Sequence, residues 1–325
     1  LTGGSWVQVG SDINGEAASD FSGLSVSLSS DGSRVAIGAP ANDGAGTSAG
    51  QVRVYELTGG SWVQVGSDIN GEADGDTAGW SVSLSSDGSR VAIGAPYNNG
   101  IGTYAGQVRV FDLSGGSWVQ VGSDINGEEA YDDLGWSVSL SSDGSRVAIG
   151  APYNNGSGTD AGQVRVFDLT GSSWVQVGSD INGEAASDFS GSSVSLSSDG
   201  SRVAIGAPLN DGAGSSAGHV RILSYLDSGG GITSEPRSVK VKKKKSTWRA
   251  LSWKVPTSLN GGTITDYIIQ YRVGGTTEWS TFTDGVSTSV KVKVTGLTKG
   301  VKYQFQVAAH TAGGNSPYST ATKAS

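Results

Sequence analysis

Ser33-Arg34-Val35-Ala36-Ile37-Gly38-Ala39-Pro40 returns without change as Ser89–Pro96, Ser145–Pro152 and Ser201–Pro208, 56 residues apart each time. Repetition on this scale points to a solenoid, a propeller or an array, whose units bury apolar faces against one another. Each unit carries four short segments in which apolar and polar residues alternate, the period of a strand. In the first unit they are Ser5–Val9 (SWVQV), Ser25–Leu28 (SVSL), Arg34–Ile37 (RVAI) and Gln51–Tyr55 (QVRVY). None shows the 3.6-residue stripe of a helix. Asp31-Gly32 joins the second and third segments as a hairpin turn, because both residues accept positive φ at little cost. Leu57–Gly60 joins the fourth segment to the next SWVQV. Four antiparallel strands per unit is the pattern of a propeller blade.

The 325 residues leave room for two domains. Charged residues are only 16%, and Val, Ile, Leu and Trp recur at regular places, which excludes a disordered chain. No apolar run is long enough to span a bilayer, and no signal-peptide pattern is present. Leu1 falls inside a repeat, so the sequence reads as a mature or clipped piece of a longer precursor. Cysteine is absent, which excludes disulfides and thiolate metal sites. The net charge of −8 divides sharply: residues 1–235 hold 27 Asp and Glu against 8 Lys and Arg, and residues 236–325 hold 3 against 14. Charges of −19 and +11 imply two domains with different electrostatic tasks.

Gly38-Ala39-Pro40, the Val-Ala-Ile before it and the upstream Phe21-Ser22-Gly23 resemble FG-GAP repeats of integrin-type propellers, over residues 1–226. The resemblance implies blades at about 21–66, 77–122, 133–178 and 189–226. The fourth lacks its last strand, while the chain begins with a spare SWVQV. The expected fold class is therefore all-β: a β-propeller of four blades, its N-terminal strand closing the last one and removing exposed sheet edges. Integrin-type propellers have seven blades. An eight-bladed ring from two chains and the loss of further repeats by truncation are the competing arrangements.

Trp6, Trp62, Trp118 and Trp174 recur once per unit and are expected to pack between blades. Arg34, Arg53 and their copies are expected to pair with carboxylates or carbonyls between blades. Trp80 and Trp136 stand where Leu24 and Ser192 stand in other units, which marks them for a ligand-contacting rim. The short turns should share one end of the ring, and the long connections 11–24 and 41–50 the other, where binding residues usually sit. The run Asp12-x-Asn14-x-Glu16-x-x-x-Asp20 recurs as Asp68/Asn70/Glu72/Asp76, Asp124/Asn126/Glu128/Asp132 and Asp180/Asn182/Glu184/Asp188. Its alternating oxygen ligands suit Ca²⁺, and the same residue types also bond loop backbone. The FG-GAP calcium loop itself is not carried over, because only Ser29–Ser33 occupies its place.

Gly46-Thr47-Ser48-Ala49-Gly50 matches a nucleophile-elbow pattern, but Tyr104 and Asp160 replace the serine in equivalent units. His219 stands where Gln51, Gln107 and Gln163 stand, and His310 is the other histidine. The chain reads as no enzyme.

Residues 227–235 form a Gly/Ser-rich linker. Strand-like runs follow at 238–242, 250–255, 265–273, 289–294 and 302–308, as in a seven-stranded sandwich. Ala250–Pro256 with Trp253, Gly261-Gly262-x-Ile264-x-x-Tyr267-x-Ile269-x-Tyr271, and Leu297-Thr298-x-Gly300-x-x-Tyr303-x-Phe305 resemble successive strands of a fibronectin type III domain, over 236–325. The resemblance implies a core Trp253 and a Tyr303 hydroxyl bonded to backbone. No Arg-Gly-Asp stands at 310–316. Lys240, Lys242, Lys243, Lys244 and Lys245 fit an edge strand blocked against pairing, or an electrostatic contact with an anionic polysaccharide or another subunit's acidic ring. Nucleic acid is not indicated, since the flanks offer no stacking or base-reading arrangement. Two functions are open: a non-enzymatic extracellular module for adhesion to a cell-surface or matrix protein or a glycan, and a fibre or sheath subunit assembling head-to-tail, acidic repeats on basic sandwich.

Overall fold

The computed structural model describes residues 4–225, 234–257, 264–311 and 314–324. Most of the expected linker, together with Gly261 and Gly262, lies outside them. The chain divides into two compact units, Leu1–Tyr225 and Leu226–Ser325. Their described elements are strands and turns, with no helix.

In the first unit β1 (Ser25–Leu28), β2 (Arg34–Ala39), β3 (Gln51–Thr58) and β4 (Ser61–Gln64) form an antiparallel meander, and β5 (Ile69–Asn70) continues along β3 beyond β4. The second sheet repeats this with β6 (Ser81–Leu84), β7 (Arg90–Ala95), β8 (Gln107–Ser114), β9 (Ser117–Gln120) and β10 (Ile125–Asn126). The third has β11 (Ser137–Leu140), β12 (Arg146–Ala151), β13 (Gln163–Thr170), β14 (Ser173–Gln176) and β15 (Ile181–Asn182). The fourth has β16 (Ser193–Leu196), β17 (Arg202–Ala207) and β18 (His219–Ser224). In each Asp-Gly turn the aspartate accepts a serine N–H and a serine hydroxyl, which holds Asp31 and Asp199 down to about 2.

The two faces of each sheet differ. Register places Ser25, Ser27, Ala36, Gly38, Val52 and Val54 on one face, all small or slim. Val82, Leu84, Val91 and Ile93 of the next sheet pack against it and are almost fully buried. Polar bonds fix the step. Ser25 Oγ donates to Gly79 O at 2.7 Å, Leu84 N donates to Ser27 Oγ at 2.9 Å, and Arg34 reaches Gly88 O while its guanidinium pairs with Glu56. The second and third interfaces reproduce these bonds from Ser81, Ser83, Arg90 and from Ser137, Ser139, Arg146. Gly38 must be glycine for this approach: a Cβ there would lie 2.0 Å from Gly79 O.

The expected ring closure is not what the structure shows. Ser5–Val9 forms no strand, and Trp6 is fully exposed at 103%. The fourth sheet has three strands. Neighbouring sheets meet through β1 and β2 against β6, β6 and β7 against β11, and β11 and β12 against β16. The outer face of β1 leaves Val26 and Leu28 64% and 61% exposed, where Val82 and Leu84 are 9% and 7%. On the last sheet Val220 and Ile222 are 67% and 72% exposed, where Val108 and Val110 are 0% and 1%. The physical reason is that each sheet touches only its neighbours, so the same local step repeats and nothing draws the ends together. Four sheets make an open array, not a closed propeller.

The C-terminal unit is a two-sheet sandwich. One sheet holds β19 (Arg237–Lys244), β20 (Arg249–Lys254) and β23 (Lys291–Val294). The other holds β21 (Asp266–Val273), β22 (Ser280–Phe282), β24 (Tyr303–Thr311) and β25 (Gly314–Asn315). Trp253 is 5% exposed and packs with Leu251, Tyr267, Ile269 and Phe305. The Tyr303 hydroxyl accepts the Thr298 N–H at 3.1 Å.

Gly94→Ala would set a methyl 2.0 Å from Gly135 O, whereas at Gly206 the nearest obstacle is the Ser193 hydroxyl, which can rotate away. Gly94→Ala should therefore cost about 1–3 kcal/mol or more. Gly206→Ala should cost well under ~1 kcal/mol by the same reasoning. Urea unfolding of the two variants checks this, and equal costs would contradict so close an approach between sheets.

Candidate binding surface

The long connections do share one end of the array. Parallel bridges Gly50↔Ala78, Gly106↔Leu134 and Gly162↔Ser190 tie each 41–50-type loop to the segment entering the next sheet. Thr77 N donates to Ser48 O, and Asp133 N to Tyr104 O, within these ties. The Gly-x-Ser-x-Gly loop is one of them: Ser48, Tyr104, Asp160 and Ser216 share φ near +50°. Ser48 N is held by Asp43 Oδ1, as expected of a turn and not of a nucleophile with a base.

Aromatic rings from these loops touch in one chain. Tyr131 meets Tyr104, Tyr104 meets Tyr97, Tyr97 meets Trp80, Trp80 meets Trp136, Trp136 meets Tyr153, and Tyr153 meets Phe189, with centroids 4.8 to 6.0 Å apart. The spacing and tilts are those of favourable edge and offset pairs. Tyr104 and Tyr131 are exposed, and the other five rings are half-buried. Tyr104, Tyr131 and Phe189 leave the backbone from left-handed residues, a costly conformation for bulky side chains that concentrates at functional sites. Beside the row, Trp80 lines an apolar hollow with Phe21, Leu24 and Pro40.

Trp80 and Trp136, the rim residues expected from the repeats, thus sit side by side at the centre of the row. The other five rings did not stand out in the sequence. Their signal lies in the repeats themselves: residues 25–40 are identical in all four copies, while the ring positions change, as at Ala41, Tyr97, Tyr153 and Leu209.

Beneath the row lies Asp133, 7% exposed, where Phe21, Thr77 and Phe189 stand in other units. Burial first, and the neighbouring Asp132 charge second, push its carboxyl up to about 7. Burial and the Asp133 charge also raise the Tyr97 hydroxyl.

The residues considered for Ca²⁺ are occupied within the fold. Asp12, Asp68, Asp124 and Asp180 each accept the amide of a glutamine four residues earlier. The carbonyls of Asn14, Asn70, Asn126 and Asn182 accept Arg53, Arg109, Arg165 and Arg221. Glu16, Glu72, Glu128 and Glu184 face the same arginines at 3.4–3.9 Å. Asp20 and Asp188 accept Asn42 and Asn210, and Asp76 and Asp132 accept backbone N–H groups. Among the described residues no three His, Cys, Asp or Glu side chains gather to hold a metal. Within the run only Ile69–Asn70 is strand, paired with β3, and Ile69 is buried.

Trp62, Trp118 and Trp174 donate their indole N–H to Val9, Val65 and Val121 carbonyls of the preceding unit, a clasp between units. Lys240, Lys242, Lys243 and Lys244 are exposed on β19, the edge of its sheet, and Lys245 is exposed just after it.

The fibronectin type III domain family matches residues 234–325, and the FG-GAP repeat family matches 126–167. The chain joins FG-GAP repeats to a fibronectin type III domain. The FG-GAP match falls on one copy, whose constant residues the other three share. Solved structures similar to the fibronectin type III domain include the FN5 domain of Drosophila Lar (32% identity, 28% of this chain, 92% of that one, TM-score 0.24). Titin module A71 from human cardiac muscle is similar at 26% identity, over 29% of this chain and 90% of that one, with TM-score 0.27. Titin kinase with its flanking domains matches at 27% identity over 29% of this chain, TM-score 0.28, and only 17% of that structure is covered. Both families are non-catalytic and typical of extracellular adhesion-type modules. No described helix is long and apolar enough to cross a membrane.

Asp133 carries a pH signature. Its folded value lies above its unfolded one of about 3.8, so the FG-GAP array loses stability from pH 4 to 7 and carries the full penalty above 7. Asp133→Asn should raise stability at pH 8 by on the order of 1–2 kcal/mol. It should change little at pH 4. An equal shift of the urea midpoint at both pH values would contradict the assignment.

Proposed function

We propose that this chain is a non-enzymatic extracellular adhesion module whose FG-GAP array holds a neutral polysaccharide strand along the aromatic row. The observation that carries this reading is the unbroken sequence of seven rings at loop positions that vary between otherwise constant repeats. Half-exposed rings offer flat apolar faces to the C–H faces of sugars, and tyrosine hydroxyls supply hydrogen bonds at the edge. A row suits an extended polymer better than a small ligand, which needs a concave pocket. The −19 charge of residues 1–235 disfavours anionic glycans. Ca²⁺ takes no part in this reading.

Affinity electrophoresis of the full chain against neutral and anionic polysaccharides tests it. Retardation by a neutral polymer, unchanged by a chelator, is the expected result. Trp80→Ala and Trp136→Ala should each weaken binding about 5- to 30-fold, the loss of roughly 1–2 kcal/mol. Binding indifferent to both substitutions, or absent for every neutral polymer, would overturn the reading.

A further inference from the structure

The basic charge of the C-terminal unit is gathered on one of its two sheets. β19, β20 and β23 carry nine Lys and Arg and no Asp or Glu. The opposite sheet carries one arginine, one histidine and one aspartate. Val239, Val241, Leu251, Trp253, Val292 and Val294 pack in the core, so by alternation the lysines stand on the outer face. Register sets two cross-strand triplets on it, Lys240–Ser252–Lys291 and Lys243–Ala250–Lys293. Each is a small side chain between two ammonium groups, whose strands lie about 10 Å apart, twice the strand spacing. Between them is an open hollow of about 770 Å³, floored by Ala250 and Ser252 and walled by Lys242, Lys243, Lys291 and Lys293. These lysines are exposed, and among the described residues none has a carboxylate partner.

We propose that this face binds an anionic polysaccharide, laid along β20 between the lysines of β19 and β23. Lysines at a sheet edge also guard against strand pairing, but a charge or two per edge is enough for that. Protein surfaces otherwise mix both signs, because like charges side by side repel. Nine cations without one acid leave that repulsion unrelieved until an anion arrives. The cations of the two triplets are ammonium groups, point charges without the planar fork that grips one fixed anion. They suit sulfate or carboxylate groups spaced along a linear polymer. Single-stranded nucleic acid would need bare rings to stack on. Trp248 is not bare: the Lys293 ammonium lies 4.7 Å from its ring centroid. An acidic peptide would enter as a strand added to β19, where the lysines and two register breaks stand in its way.

This site is separate from the aromatic row and does not rest on the reading given to that row. The −19 charge of residues 1–235 repels a polyanion at long range, and the repulsion fades beyond about 8 Å at physiological salt. The lysines in contact with the polymer therefore decide the binding, which weakens as salt screens them.

Affinity electrophoresis of the full chain in gels holding dextran sulfate, alginate, polyglutamate or poly-dT tests the proposal. Retardation by dextran sulfate or alginate, fading with added salt, is expected, and these two polymers tell sulfate from carboxylate recognition. Lys240→Gln, Lys291→Gln and Lys293→Gln together should weaken it about 5- to 100-fold, each exposed contact supplying roughly 1.5- to 5-fold. Lys299→Gln, Lys302→Gln and Lys323→Gln remove the same charge from elsewhere in the unit and should change it by less than about 2-fold. All six side chains are exposed, and circular dichroism checks that both variants fold. Trp80→Ala should leave this binding as it is. No retardation of the unsubstituted chain by either polysaccharide, or equal losses in the two triple variants, would overturn the proposal. So would binding to polyglutamate or poly-dT as tight as to the polysaccharides, or a loss in Trp80→Ala as large as in the first triple variant. Self-association at low salt that the first triple variant abolishes would assign the face to a second copy and overturn it too.

Discussion

The FG-GAP array depends on one close approach: the Gly38 backbone of each sheet against the Gly79-type carbonyl of the next, with Ser25 Oγ bonded to the same oxygen. No other residue allows it, because any Cβ would occupy the carbonyl's place. The rest of the constant segment serves this step. Ser27, Ala36, Val52 and Val54 keep the face slim, and Arg34 ties the hairpin to the next turn. The step is local, so it specifies how neighbours sit and leaves the number of sheets free. An interface that is small on one side and large on the other also gives the array a direction.

The aromatic row is an independent layer laid over this frame. The frame holds residues 25–40 and their copies identical, and the parallel bridges at Gly50, Gly106 and Gly162 hold neighbouring loops together. Side chains carried on those loops can change without disturbing the step. Rings therefore accumulate across the middle two boundaries, and Asp133 can sit beneath them at a cost in stability that the frame tolerates.

Much of the architecture was legible in the residues. Alternation and Asp-Gly turns located the strands, and the Arg34 series reaches carbonyls of the next sheet, at Gly88, Gly144 and Gly200, while its carboxylate partners Glu56, Asp112 and Asp168 lie on its own sheet. Trp253 and Tyr303 took the positions implied by the fibronectin type III likeness. Closure was not legible, because the angle between sheets is a packing outcome that no single residue encodes. The spare Ser5–Val9 matched in type the strand missing from the last unit, yet it forms no strand. The acidic run carried two readings, oxygen ligands and loop bonding, and its side chains bond glutamine, asparagine, arginine and backbone groups of the fold, with Ile69 buried among them. Trp80 and Trp136 stood out singly, but their place in a row with five tyrosine and phenylalanine rings required knowing which loops the bridges bring together.

Amide hydrogen exchange at four equivalent leucines tests the open, neighbour-by-neighbour array most directly. Leu28, Leu84, Leu140 and Leu196 lie in identical local sequence. The N–H groups of the last three donate to Ser27, Ser83 and Ser139 of the preceding sheet, and among the described residues Leu28 N–H has no serine in that place. In dilute protein of this sequence, Leu28 should exchange at close to the free-peptide rate while the other three are slowed by orders of magnitude. Four equally protected leucines would mean that the two ends meet in a closed ring, which contradicts an array held together by neighbour contacts alone.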